Sequence, residues 1–388
     1  MDMILQHLKS KQPAMVALLR RLVECESPST DKAAVDRAGS LVAEAVREMG
    51  GEVRIHQSRH TGNHIEARFA ATSPRGTRGT ANGILLLGHL DTVWGLNTLA
   101  SMPFRVTTGR AYGPGIFDMK AGVVMGIFAL RCLRELQMPV AREVTFLLVA
   151  DEEIGSPSSR PITEKLARRS AAALVLEPSY GPRGALKTAR KGVGEYLIQV
   201  QGRAAHAGLD PQKGASAITE LAKQLITIQS YTDYRRGITL NPGVVRGGTR
   251  SNVVAAQAEA ALDVRIGQRA DAARLDRLLR GLRPSDRRTS IVVSGGMNRP
   301  PFERSAEGAE LFRRAKRLAR PLGIALTEAA VGGGSDGNFT AALGVPTLDG
   351  LGAVGDGAHA AHEHIVLDQL PRRTALLAHL IASLAGDV

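Results

Sequence analysis

Three short, continuous apolar runs constrain the fold of this 388-residue chain most strongly. They lie at 83–87, 144–150 and 172–176, and a helical pattern at 120–138 separates the first two. Runs of this length are typical of strands buried on both faces of a sheet. Their alternation with helices predicts an α/β fold in which helices flank a mixed, mostly parallel central sheet.

The hydropathy pattern changes near residue 191. Apolar and polar residues partly alternate at 195–200 and again at 253–266, as in strands with one solvated face. Helical stretches follow at 214–228 and 271–282. This order predicts a β-α-β-β-α-β unit, a ferredoxin-like α+β domain. We expect it to occupy residues 191–298, inserted into a larger α/β domain formed by residues 1–190 and 299–388.

Composition narrows the function classes. The net charge is +13, but the basic residues occur as scattered pairs and aromatic residues are only 4%, so we expect no nucleic-acid partner. A positive field of this kind favours small anionic molecules. Two cysteines exclude a disulfide scaffold and a thiolate zinc site. We expect no membrane span, and the N-terminus lacks a secretory signal, which predicts a cytoplasmic protein with export left open.

Acidic and histidine side chains gather where the predicted strands end. In α/β sheets the carboxyl ends of the strands face the ligand crevice. Each group alone fits an ordinary structural role, but several carboxylates in one crevice would repel one another unless a cation neutralised them. Histidine and carboxylate donors without cysteine suit zinc, cobalt or manganese. The groups are His89 with Asp91, Asp118, the run Asp151-Glu152-Glu153, Glu177, and the C-terminal histidines His359, His362 and His364.

Four motifs together resemble the zinc aminoacylase/carboxypeptidase family, most closely its glutamate carboxypeptidase branch. They are Gly88-His-Leu-Asp-Thr92, Tyr112-Gly-Pro-Gly-Ile-Phe-Asp-Met-Lys-Ala-Gly122, Asp151-Glu-Glu-Ile-Gly155 and Gly202-Arg-Ala-Ala-His-Ala-Gly208. The resemblance covers nearly the whole chain, in order. It implies two Zn²⁺ ions per subunit, with Co²⁺ or Mn²⁺ as alternatives.

The resemblance also implies a role for each residue of the metal site. Asp118 would bridge the two metals and Glu152 would be the general base. Asp91 would orient the imidazole of His89. His359 is preferred as the C-terminal ligand because Glu363 follows it, with His362 and His364 as rivals. The implied pairs of further ligands are His89 with Glu177 on one metal, and Glu153 with His359 on the other.

Further residues follow from the same resemblance. The inserted domain would act as a lid and dimerisation domain, and the protein would be a homodimer in which His206 acts in the site of the other subunit. Arginine suits a carboxylate because its guanidinium can bind both oxygens. The residues implied in binding the substrate are Asn252, Arg265, Arg299 and Gly334.

These residues predict a dinuclear zinc hydrolase that cleaves an amide bond and releases a C-terminal amino acid with a free carboxylate. Its substrate would be a small N-acyl amino acid or peptide. One alternative is an acetyl- or succinyl-amino-acid deacylase of the same family. A second is a non-catalytic ligand-binding relative, which the presence of Glu152 disfavours. The acyl group, the leaving amino acid and the native metal stay open.

Overall fold

The computed structural model describes residues 2–72 and 83–384 and divides the chain into two compact units. The first unit comprises Met1–Ala189, Arg304–Ala330 and Ser335–Val388, and the second comprises Arg190–Glu303 and Val331–Gly334. The helices are α1 (Met3–Ser10), α2 (Gln12–Glu24), α3 (Lys32–Glu48), α4 (Ala121–Glu135), α5 (Arg160–Ala167), α6 (Ala217–Gln229), α7 (Ala270–Arg280), α8 (Ala306–Ala319), α9 (Gly337–Ala342) and α10 (Gln369–Ser383).

The strands within residues 2–72 and 83–384 form four sheets, one of which is the two-stranded pair β13-β8. They are β1 (Glu52–His56), β2 (His64–Phe69), β3 (Gly83–His89), β4 (Arg105–Thr107), β5 (Arg110–Tyr112), β6 (Val144–Val149), β7 (Ser170–Val175), β8 (Leu186–Arg190), β9 (Gly192–Gln201), β10 (Thr239–Gly247), β11 (Gln257–Ile266), β12 (Ser290–Arg299), β13 (Glu328–Val331), β14 (Thr347–Leu348), β15 (Gly355–Asp356) and β16 (His364–Val366).

The first unit contains a six-stranded mixed sheet in the order β1-β2-β6-β3-β7-β14. Strands β6, β3, β7 and β14 run parallel, whereas β1 and β2 pair antiparallel at one end. A separate small antiparallel sheet has the order β15-β16-β5-β4. The α/β fold with a mixed, mostly parallel central sheet is therefore confirmed.

The apolar runs of β3, β6 and β7 are buried because each strand contributes to a core on both faces of the sheet. Alternate residues such as Leu86, Phe146 and Leu174 join the larger core with the helices of one face. Their sequence neighbours, among them Leu87 and Val175, join a second core with Leu166 of α5. A strand buried on both faces needs apolar residues at every position, which is why these runs do not alternate.

Close packing of α4 on the sheet depends on a glycine. A Cβ atom at Gly122 would lie 2.0 Å from the carbonyl oxygen of Leu176, just past the end of β7. Any larger residue would push the first turn of α4 away from that strand end. The glycine therefore allows Asp118, just before α4, and Glu177, just after β7, to be held on the same side of the sheet.

The second unit is a four-stranded antiparallel sheet in the order β10-β11-β9-β12 with helices α6 and α7 between its strands. This is the ferredoxin-like arrangement expected from the sequence. Its core is formed by the inward residues of β9 and β11, including Ile198 and Leu262, together with Leu221 and Leu275 of the two helices. The opposite side of the sheet is exposed and carries polar residues such as Gln199 and Glu259 together with the exposed Val244 and Val292, so apolar and polar residues alternate only in part.

No helix within the described ranges combines the length and the apolar character that crossing a bilayer requires.

Candidate metal centre

Three neighbouring parallel strands bring the acidic and histidine residues to one edge of the central sheet. His89 is the last residue of β3 and is in register with Val149, the last residue of β6. Glu152 and Glu153 follow β6 within four residues, and Glu177 follows β7. Because parallel strands end at the same edge, the fold collects these side chains in one crevice.

Asp118 lies between two imidazoles. Nε2 of His89 is 3.1 Å from its Oδ1, and Nε2 of His359 is 3.4 Å from its Oδ2. The peptide bond from Asp118 to Met119 is cis. One carboxylate that faces two imidazoles through opposite oxygens has the arrangement required of a ligand shared by two metals.

Each imidazole also has a second carboxylate beside it. Nε2 of His89 is 3.6 Å from Oε1 of Glu177, and Nε2 of His359 is 3.3 Å from Oε2 of Glu153. Two sets of ligand atoms lie within 4.8 Å of one another: His89, Glu152 and Glu177, and His89, Asp118 and Glu153. The five residues expected to hold metal, and the expected general base, are therefore together.

The imidazoles and carboxylates of this cluster shift one another's pKa values. Burial opposes the charged form of His89, but the hydrogen bond to Asp118 and the surrounding carboxylates raise its pKa well above the usual value. Hydrogen bonds to Asp118 and Glu153 raise the pKa of His359 to about 10. Burial raises the pKa of Glu153 to about 7. Burial would also raise the pKa of Asp118, but hydrogen bonds to His359 and His89 outweigh this effect and lower the pKa.

The donor set fits a divalent cation. Imidazole nitrogens and carboxylate oxygens are the ligands that zinc, cobalt and manganese accept. Oε1 of Glu153 is buried and has no hydrogen-bond partner among the described residues. A buried carboxylate oxygen without a donor is costly, and a cation beside it would remove that cost.

Asp91 supports this cluster through several contacts. Nδ1 of His89 is 2.9 Å from the backbone carbonyl of Asp91 and 3.6 Å from its carboxylate oxygen Oδ1. The carboxylate accepts the hydroxyl of Ser29 and the backbone N–H groups of Glu152 and Glu153. The sequence indicated that the carboxylate orients the imidazole. In the structure the backbone carbonyl is the nearer partner, and the carboxylate also fixes the loop after β6.

The three C-terminal histidines differ clearly. His359 is exposed, has a positive φ of 62°, and reaches Asp118 and Glu153. His362 is exposed on the same turn. His364 has its Nδ1 2.9 Å from the carbonyl of His362, and its ring packs on Tyr112 at 5.2 Å between centroids. Of the three, His359 is the one that contacts the acidic cluster.

His206, expected to act in catalysis, lies in the second unit with the expected substrate residues, and His206 and Asn252 are exposed neighbours. His206 is exposed, and its Nδ1 accepts the N–H groups of Gly208 and Leu209, so Nε2 is the ring nitrogen left to face a ligand. The N–H of Ala207 donates to the carbonyl of Asn252. The structure thus joins the two sequence motifs that carry His206 and Asn252.

The remaining substrate candidates, Arg265, Arg299 and Gly334, are held by contacts within the second unit. The guanidinium of Arg265 donates three hydrogen bonds to the carboxylate of Asp263, at 2.8 to 3.1 Å. Arg299 is only 4% exposed. A Cβ atom at Gly334 would lie 2.9 Å from Cδ of Arg299, so the glycine and the arginine are packed against each other. Arg265 is the more accessible of the two arginines.

Two supporting residues were missed at the level of sequence. Ser29 holds Asp91 from a distance of 62 positions, and no local pattern marks it. In the sequence, Glu363 only favours His359 as the C-terminal ligand. In the structure it is completely buried, and its carboxylate accepts hydrogen bonds from the loop that carries Asp118. A lone acidic residue between histidines was the available signal.

A mixed α/β fold with a histidine and carboxylate cluster at the strand ends defines a metal-dependent hydrolase. The chain belongs to the peptidase family M20/M25/M40, whose model matches residues 85–383. The family resemblance expected from the motifs is thereby confirmed, as is the expectation of an enzyme that acts on peptide or linear amide bonds.

Individual relatives agree with this assignment. The chain is 28% identical to carboxypeptidase G2 of Pseudomonas sp. (strain RS-16) over 396 residues, which cover 99% of this chain and 92% of that protein. Its fold is similar to aminopeptidase PepT of Bacillus cereus, with a TM-score of 0.75, 23% identity, and coverage of 97% and 99% of the two chains. It is also similar to YXEP of Bacillus subtilis, described as a dinuclear metal binding peptidase, with a TM-score of 0.72, 16% identity, and coverage of 97% and 99%.

Proposed function

We propose that this protein is a dinuclear zinc carboxypeptidase that cleaves an amide bond and releases an amino acid with a free carboxylate. The observation that carries this proposal is the position of Asp118 between His89 and His359, with a further carboxylate beside each imidazole. Similarity to carboxypeptidase G2 over almost the whole chain supports a carboxypeptidase specificity.

The ligands would divide between two metal positions, both of which would use Asp118. His89 and Glu177 would complete one position, and Glu153 and His359 would complete the other. Two bound cations would polarise the scissile carbonyl and lower the pKa of the attacking water. Zinc is the first choice for this donor set, and cobalt and manganese accept the same ligands.

Glu152 would move the proton. Its carboxylate lies within 4.8 Å of ligand atoms of His89 and Glu177, and its backbone is fixed by Asp91. It would accept a proton from the attacking water and later give it to the leaving amine. Glu152 stands beside the ligands, and the two proposed metal positions are completed without it, so we assign its carboxylate to this proton transfer.

The second unit would contribute substrate recognition. We assign it the role of a lid and dimerisation domain in a homodimer, in which His206 from a second copy of the chain stabilises the negative charge that develops on the carbonyl oxygen. Arg265 and Asn252 would bind the free carboxylate of the substrate, with Arg299 and Gly334 beside them. An arginine already oriented by Asp263 loses little freedom when a carboxylate binds.

A panel of amides tests this function directly. Zinc-reconstituted protein is assayed on N-acyl amino acids and peptides in which the acyl group and the leaving amino acid vary independently, with release of the amino acid measured by chromatography. We expect turnover to require a free carboxylate on the leaving residue and to tolerate large acyl groups. Preference for acetyl or succinyl groups would identify a deacylase instead, and turnover of carboxyl-amidated substrates at the same rate would contradict carboxylate recognition.

A further inference from the structure

Glu363 is a buried carboxylate whose four partners are all hydrogen-bond donors. It has no exposed surface. Oε1 accepts the backbone N–H groups of Phe117 and Asp118, at 2.8 and 3.0 Å. Oε2 accepts the N–H of Gly115 at 2.9 Å and the indole N–H of Trp94 at 2.8 Å. A buried carboxylate surrounded by four donors is fully satisfied and fixes every group that it touches.

Three of these partners, the N–H groups of Gly115, Phe117 and Asp118, lie on the loop that presents Asp118, and Asp118 itself is 245 positions before Glu363 in the chain. The N–H of Asp118 itself is among them, so the bond acts directly on the residue that faces both imidazoles. The chain around Gly113 is held as well, because its N–H points to the backbone carbonyl of Glu363 at 3.4 Å. Glu363 thereby sets the position of the whole segment 113–118.

The same residue closes the turn that presents His359. The N–H of Glu363 donates to the carbonyl of Ala360, and the N–H of Ala360 donates to the carbonyl of Gly357. His359 lies within this turn and has a positive φ, a conformation that neighbouring contacts must maintain. Glu363 is therefore attached through its backbone to one ligand and through its side chain to the other.

We propose that Glu363 is the positioning residue of the metal centre, fixing Asp118 relative to His359. This inference rests on the dinuclear centre of the proposed function. Nε2 of His359 lies 3.4 Å from Oδ2 of Asp118, and these two residues are on loops that are distant in sequence. The metal position of Glu153 and His359 depends most on Glu363, because Glu363 fixes both His359 and Asp118. The metal position of His89 and Glu177 depends on Glu363 only through Asp118.

Because all four partners of Glu363 are donors, this position requires a side-chain group that only accepts hydrogen bonds, and this requirement matters more than the shape of the side chain. Glutamine has the size of glutamate, but its NH₂ group is a donor. In either orientation of the amide, that NH₂ would face two N–H groups: those of Phe117 and Asp118, or those of Gly115 and Trp94. Aspartate is shorter by one methylene yet keeps an acceptor-only carboxylate. The structure therefore predicts that Glu363→Asp retains more function than Glu363→Gln.

Zinc binding to the metal-free protein measures this without reference to catalysis. Wild-type, Glu363→Gln and Glu363→Asp proteins are stripped with a chelator and titrated with zinc against a chromophoric competitor, and bound zinc is counted by elemental analysis. We expect two zinc ions in the wild type. In Glu363→Gln the second ion should bind about 10- to 100-fold more weakly, the range for residues that orient metal ligands. Glu363→Asp should fall between the two.

Tryptophan fluorescence reports on the same contact, because Trp94 is the only tryptophan in the chain. Its emission should change between the wild type and Glu363→Gln in the metal-free state, since the indole N–H loses its carboxylate acceptor. If Glu363→Gln does not fold by circular dichroism, Trp94→Phe serves in its place. It removes one of the four donors, and a few-fold weaker second zinc ion is then expected.

Glu220→Gln is the matched control. Glu220 is a buried carboxylate of the second unit that also accepts four hydrogen bonds, from Ser285 twice, Asp286 and Gln224. Its substitution should leave both zinc affinities unchanged. Two zinc ions of wild-type affinity in folded Glu363→Gln, or tighter binding in the Gln than in the Asp variant, would overturn the role of Glu363 alone. Fewer than two zinc ions in the wild type would overturn the dinuclear proposal and this inference with it.

Discussion

The backbone N–H of Glu152 donates a hydrogen bond to the carboxylate of Asp91, with 3.2 Å between N and Oδ1. The next N–H, that of Glu153, donates to the other oxygen at the same distance. The loop after β6 is thus fixed to the loop after β3 at the point where two adjacent glutamates have different proposed roles. The distinction between these glutamates can be tested by isosteric substitution.

Glu152→Gln should remove the proton acceptor while keeping the size of the side chain. We expect kcat to fall by roughly 10²- to 10⁴-fold, the range for general acid–base catalysis, with two metal ions still bound. Steady-state kinetics and elemental analysis of the same preparation measure both quantities. Glu153→Gln should instead weaken the metal position shared with His359. Identical metal contents in the two variants, whether both full or both depleted, would contradict the assigned roles.

Removal of metal should abolish activity. The cluster brings at least three carboxylates against two imidazoles. In the proposed mechanism the cations held there would polarise the scissile carbonyl and activate the attacking water. Dialysis against a chelator should remove turnover, and zinc, cobalt or manganese should restore it. Full turnover by protein that contains no metal by elemental analysis would exclude the dinuclear centre.

The sequence predicted the α/β fold and the strand ends because these depend on local patterns. The apolar runs at 83–87 and 144–150 predict strands that are buried on both faces of a sheet. The polar residues that follow parallel strands lie at the same edge of that sheet. Proximity of His89, Glu153 and Glu177 follows from this topology once the strands are placed. Such inferences need only the order of elements and the residue types that follow them.

Contacts between distant loops could not be predicted in this way. Glu363 and Asp118 are separated by 245 positions, and Ser29 and Asp91 by 62. No periodicity relates them, and only the folded chain shows that the four partners of Glu363 are all donors. Arg265 is a local case, because Asp263 lies two positions away on the same face of β11 and orients its guanidinium through three hydrogen bonds.

Acid should destabilise the second unit through Glu220. Hydrogen bonds from Ser285, Gln224 and Asp286 overcome the effect of burial and lower the pKa of Glu220 to about 2 from its usual 4.5. A carboxyl group whose pKa is lower in the folded state stabilises the protein fully above pH 4.5, and this contribution is lost as the pH falls toward 2. At pH 7 Glu220→Gln should therefore lose up to about 3 kcal/mol of unfolding free energy.

Chemical denaturation of both proteins between pH 7 and pH 3 measures this loss. The difference between wild type and Glu220→Gln should be largest at pH 7 and should shrink as the pH falls below 4.5. A difference that stays constant over this range would show that the substitution acts through packing and not through the ionised carboxylate.

Arg265→Ala should weaken binding of substrates that carry a free carboxylate. A charge-assisted hydrogen bond contributes about 1.5–3 kcal/mol to binding, so its loss corresponds to a fall in kcat/KM of roughly 10- to 100-fold. Most of this fall should come from an increase in KM. The same substrate with its carboxylate amidated should be affected much less. Equal losses on both substrates would mean that Arg265 and Asp263 form a structural pair.

Mixed dimers can show whether His206 acts in the site of a second copy of the chain. Glu152→Ala and His206→Ala are prepared separately, and each should be nearly inactive as a homodimer. After dissociation, mixing and reassociation, about half of the dimers should contain one chain of each kind. In such a dimer, the site of the His206→Ala chain keeps its own Glu152 and receives an intact His206 from the other chain, whereas the second site lacks both groups.

About a quarter of all sites should therefore regain activity if His206 acts in the site of the other chain. If His206 acts within its own chain, every site of the mixed dimer lacks one of the two groups and no activity returns. Different affinity tags on the two variants establish that subunits have exchanged, and each variant mixed with itself is the control. Since Nε2 is the ring nitrogen of His206 that its own loop leaves unused, restored activity should also depend on a group at this position that can donate a hydrogen bond. His206→Gln in place of His206→Ala should then retain more activity before mixing and gain less from it.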